Sequence, residues 1–261
     1  MPEDAHRVKE LVHPHTVGGG HGQTPRRYDH AMAQGHSVDD YLETIYFLAF
    51  PIGEYRLPDT SVPTLAARVA EMLNVSRASA GEMLKRLEAE GLVERGEHKE
   101  ALLTPSGLDR AEKVVRRHRI IERLLTDFMG YTPAESHVHA DELGDTFSDD
   151  MIDRIEERLG YPERCPHGWP IHTEREQAEN LELEPLSDLG PGGRGTIVRL
   201  AEHDGELLEW FYDHGLVPGT AVELLRGAPD AAQFVVSTEH GEKTLAARAA
   251  GGLFVRRPVS A

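Results

Sequence analysis

The stretch TLAARVAEMLNVSRASAGEMLKRLEAEGLVER, residues 64–95, decides the fold of this chain. Apolar residues recur at helical spacing over 63–73, and the polar-apolar pair at 74–75 then predicts a tight turn. Ser76 is a suitable N-cap for a second helix that runs to about Glu90. Two short helices joined by a tight turn are therefore expected.

A short β-hairpin is predicted directly after these helices. Residues 92–95 and 101–103 are apolar or β-prone runs separated by a turn. Helix, turn, helix and hairpin in this order are typical of a winged helix-turn-helix. With an amphipathic helix at 37–50, N-capped by Ser37, we expect this DNA-binding domain to occupy 37–103. The alternative is an unrelated small α+β bundle with the same periodicity.

A mainly helical segment is predicted over 104–171. Thr104 is an N-cap with proline following it, and the long helix that begins there should end near Gly130. Thr132 opens a capping box for the next helix, and a further helix is expected over 150–159.

The last part of the chain has a different sequence pattern. After a linker at 172–180, residues 181–261 contain short β-rich runs separated by glycine and proline. One short helix at about 205–214 interrupts them. This pattern predicts a small SH3-like barrel of about five strands. The whole chain is thus expected to be mainly α, with a small β-domain at its C-terminus.

Composition limits the classes of protein that fit. The 261 residues carry a formal net charge of −17, so DNA binding needs a locally basic surface. No apolar run approaches the roughly 20 residues of a membrane span. The start of the chain lacks an apolar signal core, and Cys165 is the only cysteine. We therefore expect a cytoplasmic protein with no membrane contact.

Residues 1–36 are expected to form a flexible arm rich in histidine. Metal loading or DNA contact through Arg26 and Arg27 is the alternative for this arm, although its histidines are too scattered to define a site. They are His6, His13, His15, His21, His30 and His36.

Side chains that can bind a metal recur at helical spacing on three predicted helices. The candidates are Asp40 and Glu43 on the first, His118 and Glu122 on the long helix, and His137, Asp141 and Asp145 on the next. Many carboxylates with two imidazoles and no nearby sulfur favour Mn²⁺, and Fe²⁺ less selectively. So much negative charge favours two ions per subunit.

Each candidate also has an ordinary explanation. Asp40 suits the N-terminal helix dipole, Glu43 suits a solvated helix face, and His118 suits a basic surface beside two arginines. A different helix register would use His139 and Glu142, with Asp149 nearby, in place of His137, Asp141 and Asp145. We favour the first register because its spacing keeps one face.

Several segments of the chain resemble one known family. VDDYLETIY at 38–46, RRHRIIERLLTDFMG at 116–130 and CPHGWPI at 165–171 resemble the diphtheria-toxin-repressor family of metal-dependent regulators, within it the manganese-transport-regulator branch. LGPGGRGTIVRL and GLVPGTAVEL are similar to the family's FeoA-like, SH3-like domain. The resemblance implies a helical domain that binds metal and dimerises.

The resemblance also implies ligand positions. Asp40 stands where the manganese branch has aspartate. The sequence departs from the pattern where Asp141 replaces cysteine or glutamate, Asp145 replaces histidine and Gly144 replaces a glutamate ligand. Ancillary ligands from the C-terminal domain align near Asp204 and Glu206.

These observations lead to one functional hypothesis. The chain is expected to be a homodimeric, Mn²⁺-responsive repressor that binds a double-stranded DNA operator and controls metal-ion transport genes. An iron(II)-dependent regulator is the alternative within the family. A metal-dependent hydrolase and a winged-helix regulator of an organic ligand are the rivals, but no nucleophile motif or small-molecule substrate loop supports an enzyme.

Residues expected near DNA lie at the start of the second helix of the motif and in the wing. They are Ser76, Arg77, Ser79, Glu82, Lys85, Arg95 and Lys99.

Overall fold

A computed structural model of the chain provides the architecture. It describes residues 36–49, 65–96, 101–180, 182–201, 205–227 and 232–258. The predictions made for residues 1–35, for Lys99 and for Asp204 lie outside this part of the chain. None of the helices in the described part is long and apolar enough to cross a membrane.

The first unit has the order predicted for a winged helix-turn-helix. Its elements are α1 (Val38–Ala49), α2 (Leu65–Met72), α3 (Arg77–Ala89), β1 (Val93–Arg95) and β2 (Ala101–Leu103). The Ser76 hydroxyl accepts a hydrogen bond from the Ser79 backbone N–H at 3.0 Å and caps α3. The two strands pair antiparallel, with Val93 opposite Leu103. The predicted helix, turn, helix and hairpin are therefore confirmed.

A single long helix, α4 (Pro105–Met129), joins two hydrophobic cores. Thr104 caps its start, and Gly130 ends it in the left-handed conformation with φ of 76°. Its N-terminal half packs Ala111 and Val115 with α1, α2 and α3. Its C-terminal half places Ile120 and Ile121 in a second core. Side chains in the middle of α4 consequently lie where the two cores meet.

The elements that follow α4 in the chain face the place where the two cores meet. They are α5 (Pro133–Leu143), a 3-10 turn (Gly144–Thr146) and α6 (Asp149–Arg158). Thr132 and Glu135 form the predicted capping box at the start of α5. The expectation that Asp145 continues the same helix is wrong, because α5 ends at Leu143 and Asp145 lies in the tighter turn.

The segment predicted as a linker contains a short helix, α7 (Glu174–Asn180). Its buried carboxylates bind arginines from other elements, which accounts for its order. Glu176 accepts from Arg119 of α4 at 2.9 Å. Glu179 contacts Arg199 at 3.0 Å and Arg256 at 2.7 Å.

The C-terminal part is a β-sheet with two helices. Its elements are β3 (Glu184–Pro185), β4 (Arg194–Leu200), α8 (Gly205–Asp213), β5 (Ala221–Arg226), β6 (Gln233–Thr238), β7 (Gly241–Ala246), α9 (Ala247–Gly251) and β8 (Leu253–Arg256). Six strands pair antiparallel in the order β3-β8-β4-β5-β6-β7. The described strands therefore exceed the predicted five, and they do not close into a barrel because β3 and β7 end the sheet.

The segment before α7 lies tightly against β4. Gly168 has φ of +90°, and a Cβ there would lie 1.9 Å from the Val198 carbonyl oxygen. Trp169 donates its indole N–H to the Leu200 carbonyl at 2.8 Å. The guanidinium groups of Arg119 and Arg199 lie 5.3 and 4.8 Å from the centre of the Trp169 ring. These contacts leave residues 165–169 little freedom to move.

Glu179 should make the fold sensitive to acid. Burial would raise the pKa of this carboxyl, but Arg164 and Arg199 outweigh it and lower the pKa from 4.5 to about 2. Such a difference corresponds to about 3 kcal/mol of stability, present above pH 4.5 and lost as the pH falls toward 2. Urea unfolding at pH 7 should show Glu179→Gln less stable by an amount of this order.

The difference in unfolding free energy between the wild type and Glu179→Gln should be smaller at pH 3. At that pH the ionised Glu179 carboxylate contributes less stability to the wild type. Glu223→Gln removes a more exposed ion pair with Arg194 and is the matched control, with a change under about 1 kcal/mol. A Glu179→Gln deficit that is the same at pH 7 and pH 3 would contradict this assignment.

Candidate metal centre

A buried carboxylate lies at the centre of the candidate site. Glu122 of α4 has no exposed surface. Its Oε1 atom lies 3.0 Å from His118 Nε2 and 3.0 Å from His137 Nδ1. Those two nitrogens are themselves 3.0 Å apart, and His167 Nδ1 lies 3.1 Å from the same oxygen. Three imidazoles from α4, α5 and the segment before α7 thus meet at one carboxylate oxygen.

This arrangement fits a divalent metal ion. Adjacent ligand atoms at right angles, each about 2.1 Å from an ion, lie about 3 Å apart. Glu122 Oε2 is buried and has no hydrogen-bond partner in the described part of the chain. Such an atom is costly unless it is compensated. We call His118, Glu122, His137, Cys165 and His167 the core subsite.

Two members of the core subsite were missed by the sequence analysis. Candidate ligand atoms of Glu122, Cys165 and His167 all lie within 4.8 Å of one another, and all three residues are buried. The expectation of no nearby sulfur donor is therefore wrong. The signal was present in CPHGWPI, where cysteine and histidine stand two apart in a segment with proline and glycine that could fold back.

A second cluster lies on the other side of His118. His118 Nδ1 is 3.0 Å from Asp141 Oδ1 and 3.9 Å from Glu43 Oε1. Candidate ligand atoms of these three residues lie within 4.8 Å of one another. We call Glu43, His118 and Asp141 the α1 subsite. One imidazole therefore belongs to both subsites, through a different nitrogen in each.

Two of the predicted ligands lie at the edge of the α1 subsite. Asp40 and Asp145 line the same pocket without joining the close cluster. The Asp40 carboxylate accepts the Ser37 backbone N–H at 2.8 Å, so it caps its own helix. Asp40 is thus a partner of the helix N-terminus in this structure, as its ordinary explanation predicts.

The alternative helix register is not used. His139 and Glu142 pair with each other at 3.3 Å, and the His139 ring packs edge-on against Tyr131. Asp149 pairs with Arg117 and belongs to neither subsite. Of the histidines on α5, His137 alone lies in either subsite.

Opposite charges stabilise each other inside the two subsites. Burial opposes ionisation of the His118 ring, but Glu122 and Asp141 hold its pKa well above the usual range. Burial would raise the pKa of Glu122, yet His167 and His118 hold it well below. The pKa of His137 is raised in the same way, against burial, by Asp141 and Glu122. A carboxylate-rich pocket of this kind favours bound positive charge.

The residues expected near DNA lie on an exposed surface. Arg77, Ser79, Glu82 and Lys85 of α3 are all exposed. Arg95 of the wing pairs with Glu88 at 3.1 Å and remains partly exposed. The α3 surface is thus free of tertiary packing on the side that carries these residues.

Three family models match successive parts of the chain. Residues 35–101 match the iron dependent repressor, N-terminal DNA binding domain. Residues 104–173 match the iron dependent repressor, metal binding and dimerisation domain. Residues 184–257 match the FeoA domain.

Individual proteins show the same likeness. The chain is 31% identical over 198 residues to the iron-dependent repressor IdeR of Mycobacterium leprae, covering 71% of this chain and 82% of that protein. It is 32% identical over 199 residues to the diphtheria toxin repressor of Corynebacterium glutamicum, covering 72% and 83%. A solved "manganese-dependent transcriptional repressor complex with manganese" superposes with a TM-score of 0.74 at 29% identity, covering 85% and 100%.

Removing the central carboxylate should weaken metal binding. Glu122→Gln keeps the shape of the side chain but removes the charge that three imidazoles face. Calorimetric titration with Mn²⁺ should show an affinity about 10- to 100-fold lower at one site. His137→Ala should have a similar effect. His139→Ala, on the same helix but outside both subsites, is the matched control and should bind Mn²⁺ like the wild type.

Proposed function

The chain belongs to the diphtheria-toxin-repressor family of metal-dependent, DNA-binding transcriptional regulators, and we propose that it is a Mn²⁺-responsive repressor of metal-ion transport genes. Members of this family are regulators and not enzymes, which excludes the hydrolase. The protein would act as a homodimer on a double-stranded DNA operator, in the cytoplasm where that DNA lies. An Fe²⁺-dependent repressor is the second candidate, because relatives named as iron-dependent repressors match over most of their length.

The observation that carries this proposal is the double use of His118. Its Nε2 atom faces Glu122 and His137, while its Nδ1 atom faces Asp141 and Glu43. Glu43 lies on α1, which packs in the same core as α2 and α3. A change of charge at the two subsites therefore acts directly on the helix that supports the DNA-reading unit.

A divalent ion held by these residues would supply positive charge between carboxylates that otherwise repel one another. Glu43 would then hold α1 against α4, and Asp141 would hold α5 against the same ring of His118. Held in this way, α1 fixes the orientation of α3 relative to α4. In a dimer this orientation sets the spacing of two recognition helices, which must suit major grooves about 34 Å apart.

The choice of ion follows from ligand chemistry. Glu43 and Asp141, with Asp40 and Asp145 at the edge, give the α1 subsite mainly oxygen donors, which suit Mn²⁺. The core subsite adds the Cys165 thiol and is less selective, so Fe²⁺ also suits it. We propose one ion in each subsite, two per subunit. Because a neutral imidazole has one lone pair, His118 would bind only one of these ions and would donate a hydrogen bond through its other nitrogen.

The DNA-binding surface has a charge balance unlike that of the whole chain. Residues 64–95 contain five basic and five acidic side chains, whereas the chain carries a formal charge of −17. Arg77 and Lys85 are exposed on α3, where they can contact phosphates or bases. Ser76, Ser79 and Glu82, together with Arg95 and Lys99 of the wing, complete the proposed contacts.

We infer that exposed apolar side chains of the helical segment contribute to the dimer surface. Such side chains are Phe128 and Met129 at the end of α4 and Tyr161 after α6, which are 65%, 59% and 65% exposed. Burial of such side chains is the usual driving force for association. The matched description of residues 104–173 as a metal binding and dimerisation domain supports this assignment.

Metal-dependent DNA binding tests the proposal. Fluorescence anisotropy with DNA from a metal-transporter promoter should show tight binding in Mn²⁺ and weak binding in chelator. Glu43→Gln should raise the Mn²⁺ concentration at half-maximal binding about tenfold, because α1 loses its charged ligand. Glu142→Gln, an exposed glutamate outside both subsites, is the control. DNA affinity equal in Mn²⁺ and chelator would reject the proposal.

A separate prediction concerns the recognition helix. Arg77→Ala should lower operator affinity by about 1–3 kcal/mol and leave Mn²⁺ binding unchanged, since Arg77 lies on the exposed face of α3. Arg154→Ala on α6, outside the winged helix-turn-helix, removes the same charge and is the control. Operator affinity unaltered by Arg77→Ala across 50–200 mM salt would remove this residue from the interface.

A further inference from the structure

A guanidinium group lies inside the wall of the α1 subsite. Arg117 of α4 precedes His118 and lines the same pocket as Glu43 and Asp141. Its Nη1 atom donates to the Gly144 carbonyl oxygen at 3.3 Å, and its Nη2 atom donates to Asp149 at 3.3 Å. Only 16% of the side chain is exposed. A permanent positive charge is therefore held beside the carboxylates that would bind an ion.

The same guanidinium reaches the first turn of α1. Arg117 Nη1 lies 3.6 Å from Asp39 Oδ2, and Arg110 donates to Asp39 Oδ1 at 2.7 Å. The Asp39 side chain is 17% exposed. Two arginines of α4 thus bind the residue directly before Asp40. These contacts join α1 to α4 through side chains of the protein alone.

Arg117 acts in two opposite directions on a metal switch. By pairing with Asp39 it holds α1 on α4, which is the arrangement that an ion would also stabilise. By placing a positive charge in the pocket it repels an incoming cation, and this repulsion is strong where solvent screening is weak. The first effect raises DNA affinity without metal, and the second lowers the affinity for the ion.

We propose that Arg117 is a built-in cation of the α1 subsite that sets the range of the metal response. It keeps α1 partly in place in the metal-free protein and makes the ion at this subsite the weaker-binding one. The inference rests on the proposed function, since it assumes that metal at the α1 subsite controls DNA binding. Arg117 is a positioning residue: it holds α1 on α4 and adds positive charge to the pocket.

Arg117→Gln tests both effects in the full-length protein. In chelator, amide hydrogen exchange in α1 should accelerate and DNA affinity should fall about three- to tenfold, because the ion pair with Asp39 is lost. Calorimetry should show Mn²⁺ binding about three- to tenfold tighter at the weaker site. DNA affinity at saturating Mn²⁺ should change less than about twofold, so the response to metal widens.

Three variants separate this account from loss of structure. Arg117→Lys keeps the charge but loses the forked donor, so α1 should loosen without the gain in Mn²⁺ affinity expected of Arg117→Gln. Asp39→Asn should loosen α1 and weaken Mn²⁺ binding, the opposite sign to Arg117→Gln. Arg154→Gln removes an exposed charge paired with Asp150 on α6 and should match the wild type throughout.

The outcomes distinguish this inference from the proposed function. If the wild type shows no Mn²⁺-dependent DNA binding, the proposed function fails and this inference fails with it. If the wild type responds to Mn²⁺ but Arg117→Gln weakens DNA binding equally in chelator and in Mn²⁺, with unchanged Mn²⁺ affinity, Arg117 is only a structural residue and this inference alone is overturned.

Discussion

The buried carboxylate of Glu122 is the constraint on which the rest of this structure depends. A charged group with no exposed surface is stable only beside positive charge or a metal ion. Here His118, His137 and His167 all face one of its oxygens. These rings come from α4, α5 and the segment before α7, so compensating a single charge brings three separate parts of the chain together.

The position of that carboxylate in α4 links it to both ends of the molecule. Toward the N-terminus, α4 shares a core with α1, α2 and α3, and His118 carries the contact on to Glu43. Toward the C-terminus, the His167 carbonyl accepts the Leu200 N–H of β4 at 3.0 Å. The C-terminal sheet therefore holds one wall of the core subsite, while α1 forms one wall of the α1 subsite. The two candidate metal subsites therefore lie between the DNA-binding domain and the C-terminal part.

Much of this architecture is predictable from local signals. Ser76, Thr104 and Thr132 cap helices where their sequence context indicates, because capping depends only on neighbouring residues. The spacing of His118, Glu122 and His137 is likewise local to two helices. Cys165 and His167 stand close together in the sequence, but they reach Glu122 only when the segment at 165–169 packs against β4. Helix α7 depends on distant arginines in the same way, and the turn holding Asp145 depends on where α5 ends.

The central claim is that a metal ion binds beside Glu122 and His118. The most direct test is anomalous diffraction at the manganese absorption edge from crystals grown with Mn²⁺. The account predicts an anomalous peak within ligand distance of Glu122 and His137, with a second peak between His118, Asp141 and Glu43. Anomalous density elsewhere in the molecule, with neither of these positions occupied at saturating Mn²⁺, would contradict it.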